Sequence, residues 1–166
     1  MSKQSAGARE QPRARSGTYL WIAFGLLAVA VFAGIIISAA GRGTQHPAVG
    51  EHWHAQYAVV ICGKALPPFR PSAGGIHTHG DGLIHIHPEN RSEAGPNATL
   101  GRFLASVGAS LSSTALHLPG GTTYANGDKC PDGTTGTLHL LVNGKRNEAF
   151  DKYVMHDRDR VVIEFH

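Results

Sequence analysis

Gly75-Ile76-His77-Thr78-His79-Gly80-Asp81-Gly82-Leu83-Ile84-His85-Ile86-His87-Pro88 decides how this chain folds and what it can hold. Two His-x-His pairs, His77/His79 and His85/His87, lie on either side of a glycine-rich turn. Side chains two apart in an extended strand share a face, so each pair can converge on one point. Whether the two pairs meet depends on the turn. A three-residue loop, Gly80-Asp81-Gly82, sets His77 opposite His85 and puts all four imidazoles on one face. A two-residue Asp81-Gly82 loop, which that dipeptide suits, sends His85 and His87 to the other face. The three-residue loop is favoured because it gathers Ile76, Ile84 and Ile86 on the core side.

Upstream, His52/His54 forms a third such pair at the start of a strand expected over residues 52–61. Neutral imidazole is the commonest metal ligand, for zinc, copper, iron or nickel. The pattern therefore predicts a metal site built on His77, His79 and His85, with His52, His54 and His87 as further ligands. Asp81 and Glu89 are the carboxylates expected to ligate the ion or to orient an imidazole. Copper and zinc are the expected ions. A closed set of four protein ligands fits storage, sensing or structure, whereas three ligands and an open position permit catalysis. Three functions follow: a metal-binding module for copper or zinc handling, or as an accessory subunit of a membrane assembly; a metal-dependent enzyme; or a metal-free interaction domain with a pH-responsive histidine face. The absence of Gly-x-Ser-x-Gly, His-Glu-x-x-His and phosphate-loop motifs weighs against the enzyme. His46, His117, His139, His156 and His166 stand singly and are expected to be surface or hydrogen-bonded residues.

Working outward, residues 18–40 form an uncharged apolar run of 23 positions. As a helix this would reach about 35 Å, enough for a bilayer's hydrocarbon layer. Residues 1–17 carry four basic residues against one acid, which predicts a cytoplasmic amino terminus and a single-pass anchor in the cell membrane. Residues 41–51 then read as a linker, and 52–166 as an extracytoplasmic histidine-rich domain. A pI near 9.1 suggests nucleic acid as a partner, but from Gly41 onward eleven basic residues balance eleven acidic ones. The exported part thus lacks the cationic patch that nucleic-acid binding needs. Cys62 and Cys130, in an exported and oxidising setting, are expected to form a disulfide.

The expected fold is α+β: a small, mainly β domain with one short helix. Leu100, Phe103, Leu104 and Val107 recur at helical spacing within residues 97–108, which Asn97 or Thr99 can cap and Gly108 can end. A strand is expected within residues 110–118, a loop through 136, a strand over 137–142, a turn at Asn143-Gly144 and a last strand over Arg160–Phe165. The segments Leu141-Val142-Asn143-Gly144-Lys145 and 157–165 resemble the close of β-grasp (ubiquitin-like) domains, which implies that fold. Gly75-Ile76-His77-Thr78-His79-Gly80-Asp81 resembles the copper-ligand segment of copper/zinc superoxide dismutases, without that family's other ligand segments. A closer similarity is to uncharacterised bacterial, mainly actinobacterial, membrane-anchored proteins. It is carried by His52-Trp53-His54-Ala55, His77-Thr78-His79, Asp81-Gly82, Ile84-His85-Ile86 and Thr99-Leu100-Gly101-Arg102-Phe103. That likeness implies a single-pass exported domain and no particular activity.

Overall fold

A computed structural model describes residues 46–166. The strand that opens the domain, β1 (Trp53–Ile61), alternates, with Ala55, Val59 and Ile61 buried and Gln56 exposed. Cys62 and Gly63 both take left-handed φ, 49° and 77°, and turn the chain into β2 (Lys64–Ala65). Such a two-residue turn matches the twist of the strands it joins. β3 (Ile76–His77) and β4 (Leu83–Ile86) follow as a hairpin, with β4 antiparallel to β1. Along the other edge of β1 runs β10 (Arg160–Phe165), parallel to it. β10 in turn pairs antiparallel with β8 (Leu138–Val142), which turns at Asn143-Gly144 into β9 (Lys145–Arg146). The first and last strands of the domain are thus the paired centre of a seven-stranded sheet.

One face of this sheet is covered by α1 (Leu100–Ser106), whose Leu100, Phe103 and Leu104 are fully buried. Thr99 caps the helix by accepting a hydrogen bond from the Arg102 amide, satisfying one of the free donors of its first turn. Tyr57 of β1 stacks on Phe69 and tilts against Phe103, with ring centroids 5.5 and 5.0 Å apart. Val161, Ile163 and Phe165 face Val142, Leu140 and Leu138 across the β10–β8 pairing and extend the same core. Cys62 is bonded to Cys130, Cα–Cα 5.7 Å, which fastens the β1–β2 turn to the long loop before β8.

Two expectations about the fold are corrected. The segment from 119 to 136 is not all loop, and the strands fall into two sheets. β5 (Ser110–Leu111), β6 (Ala115–His117) and β7 (Thr123–Ala125) form a second, three-stranded sheet. Its strands are too short to show a period of two, and the third begins just after Pro119-Gly120-Gly121, a turn signal. The second correction concerns the membrane. Among the described residues no helix is long and apolar enough to cross a membrane, and the one α-helix there has seven residues. The basic tail and the apolar run over 18–40 lie outside the described residues, so the transmembrane helix, the single-pass anchor and the cell-membrane location are not carried forward.

Candidate metal centre

β3, β4 and β1 lie side by side with β4 in the middle. His77 stands opposite His85, and His85 opposite His54, so one row of imidazoles crosses three strands. Ile76 and Trp53 stand opposite Ile86, and Ala55 opposite Ile84; Ile76, Ile84, Ile86 and Ala55 are buried on the core face. This register leaves Gly80, Asp81 and Gly82 between the facing positions 79 and 83, the three-residue loop favoured above. Gly80 and Gly82 have φ of 84° and 81°, where a side chain would be strained.

All six predicted histidines come together. The ring centroids of His52 lie 4.6 Å from His54 and 4.0 Å from His87. His85 lies 4.8 Å from His54 and 4.2 Å from His79, and His77 lies 4.9 Å from both His79 and His87. Two pairs of nitrogens face each other: Nε2 of His52 and His54 at 3.1 Å, and Nε2 of His77 and His79 at 2.9 Å. Ligands held at about 2.0–2.1 Å by a tetrahedral zinc ion are about 3.3 Å apart, so both pairs stand near ligand spacing. Two groups have ligand atoms all within 4.8 Å of one another and could hold a metal ion: His52, His54 and His85, and His79, Asp81 and His85.

Hydrogen bonds outside the cluster set its tautomers. Nδ1 of His77 lies 2.7 Å from the Gly74 carbonyl, which can only accept, so Nδ1 carries the proton and Nε2 keeps its lone pair toward His79. Asp81 Oδ2 is 3.1 Å from Nε2 of His85 and accepts that proton, while its Oδ1 accepts from the Leu83 amide. Burial pushes the Asp81 carboxyl up, but the bonds from Leu83 and His85 outweigh it and hold the group below its usual range. Thr78, wholly buried between His77 and His79, donates to Asp81 and accepts from the Gly80 amide. Its own amide donates to Ser72 Oγ, which bonds to Ser106 at the end of α1. The turn is therefore tied to the helix. Glu89 does not take its expected place: its amide donates to the Glu93 carboxylate, and its charge is the least of the influences named on His77.

Three of the imidazoles, His54, His77 and His87, are biased toward the neutral form. Burial, then the neighbouring His85 and His52, lowers the pKa of His54. Burial also lowers that of His77, against the Gly74 hydrogen bond. His87 is pushed down to about 4 by burial and by the charges that His52, His77, His85 and His54 would carry. Its Nε2 is buried with no hydrogen-bond partner, a condition rare in native folds. At His54, His77 and His87, lone pairs and not charges are what the face presents near neutrality.

Some participants left no mark in the sequence pattern. The Gly74 carbonyl is backbone, and Thr78 looked like the spacer of a His-x-His. Asp157, which accepts the His54 amide, lies 103 residues away. Gly75 has a steric role: a Cβ there would collide with the Glu93 carboxylate and crowd the His87 carbonyl, so glycine lets β3 pass close to that loop. Of the single histidines, His117 bonds to Thr123, His139 to Arg146 and His156 to Tyr153. His46 lies by His156, and His166 by His139. Surface cavities of about 440, 320 and 400 Å³ lie elsewhere, and none is lined by a histidine of the cluster. No protein-family model matches the chain, and neither does any curated protein or solved structure.

Proposed function

We propose that the chain is a transition-metal-binding module whose histidine face takes copper or zinc. The observation that carries this reading is the buried, partnerless Nε2 of His87 among imidazoles whose nitrogens already stand at ligand spacing. A bound ion satisfies such an atom. The donor set supports copper or zinc: it offers imidazole nitrogen and one carboxylate, and both cysteines are in the disulfide and give no thiolate. The lowered pKa values of His54, His77 and His87 favour neutral ligands at those three positions. Handling is favoured over catalysis because His52 and His79 are exposed on the face of the sheet.

The test is equilibrium dialysis of the whole chain, stripped with a chelator, against Cu(II) or Zn(II). At least one ion per chain should be retained. With free metal at 100 times its Kd, linkage gives about 2.7 kcal/mol of added stability, or a melting shift of about 10 °C. His85→Ala/His87→Ala should bind at least tenfold more weakly. A wild-type chain that keeps neither ion, and melts at the same temperature with and without them, would refute the reading.

A further inference from the structure

We infer that this face holds two ions and not one, with His85 shared between them; the inference builds on the metal-binding reading above. The face offers six imidazoles and the Asp81 carboxylate, more donors than a four-coordinate ion takes. The donors also divide. His52 and His54 belong to the β1 side, and their Nε2 atoms face each other. His77 and His79 belong to the β3 side and do the same. β4 separates the two sides, and among the described residues no ring contact joins His52 or His54 to His77 or His79. His85 is what stands between, its ring against His54 on one side and His77 and His79 on the other. It belongs to both groups of ligand atoms that converge closely enough for an ion. His87 touches His52 and His77.

One ion is accordingly assigned to His52 and His54 with His87, the other to His77 and His79 with Asp81. His85 completes both through its two ring nitrogens. Its neutral ring has one N–H, at present directed to Asp81 Oδ2. Sharing requires that this proton leave to solvent; the two lone pairs of the resulting imidazolate then form one metal–nitrogen bond each, and its negative charge with that of Asp81 offsets two of the four positive charges of the two dications.

The experiment is a titration of the metal-free whole chain with Zn(II) alone and, separately, with Cu(II) alone. Retained ion is counted per chain, with the melting temperature followed to show that each variant is folded. The wild type should keep two ions. His52→Ala/His54→Ala and His77→Ala/His79→Ala should each keep one, and either variant that does so is folded by that fact. His85→Ala should weaken both ions by at least tenfold. One ion per chain in the wild type overturns the two-ion inference and leaves the metal-binding reading intact. No retained ion overturns both. Two retained ions, with only one of them weakened by His85→Ala, overturn the sharing.

Discussion

The Nε2 of His87 is buried without a partner, and a polar group in that condition costs a fold about 1–3 kcal/mol. A residue kept at such a cost makes a sharp prediction about acid. In an unfolded chain an imidazole takes up its proton near pH 6.5, whereas in the folded, metal-free protein His87 resists protonation to about pH 4. Between those limits the unfolded state binds more protons, so stability that is fully present above pH 6.5 declines as the pH falls toward 4. His54 and His77, also lowered, act in the same direction. Chelator-treated protein, unfolded in urea at pH 7.0 and 5.0, should be measurably weaker at the lower pH. His87→Leu should be at least as stable as the wild type at pH 7.0 and lose less on acidification, while binding copper or zinc at least tenfold more weakly. A variant with the wild-type pH dependence would mean that burial of this ring does not set its titration.

At the scale of elements, the β3–β4 turn uses the two oxygens of one carboxylate for two purposes. Asp81 Oδ1 shapes the turn through the Leu83 amide, and Oδ2 holds His85. Asp81→Asn retains the first acceptor and puts an N–H donor in place of the second. The expected result is a folded protein, its melting temperature within a few degrees of the wild type, with metal affinity down about 10–100-fold. Unchanged affinity would leave Asp81 with only its role in the turn. The His-x-His spacing and the alternating isoleucines made this hairpin and its register legible from sequence, because a period of two fixes which side chains share a face; its pairing with β1 is shown only by the fold. The choice between Asp81 and Glu89 was not legible: both are single carboxylates near the pairs, and only the fold shows that one reaches an imidazole. The helix was readable from its four apolar positions, though Val107, the last of them, falls just past its end. The second sheet was not, since strands of two or three residues between glycines and threonines carry no period.

Over the whole domain, β1 links the histidine face and the disulfide. The histidines lie at its start and the disulfide just beyond its end. From His54 to Cys62 the strand covers about 26 Å at roughly 3.3 Å per residue, far too long for sulfur and imidazole to share an ion. Closing a loop across a separation of 68 residues stabilises the fold by about 4 kcal/mol on the chain-entropy model. Substitutions at sites this far apart, with no shared partner, act independently. Cys62→Ala/Cys130→Ala should therefore lower the urea midpoint of the metal-free chain by an amount equivalent to about 4 kcal/mol. Its affinity for copper or zinc should stay within about threefold of the wild type, measured where both proteins are folded. Stability and metal binding would then be separable, the first set by the cross-link and core, the second by one face of three strands. A tenfold loss of affinity in the double variant would instead couple the two ends of β1 and make the disulfide part of the metal site.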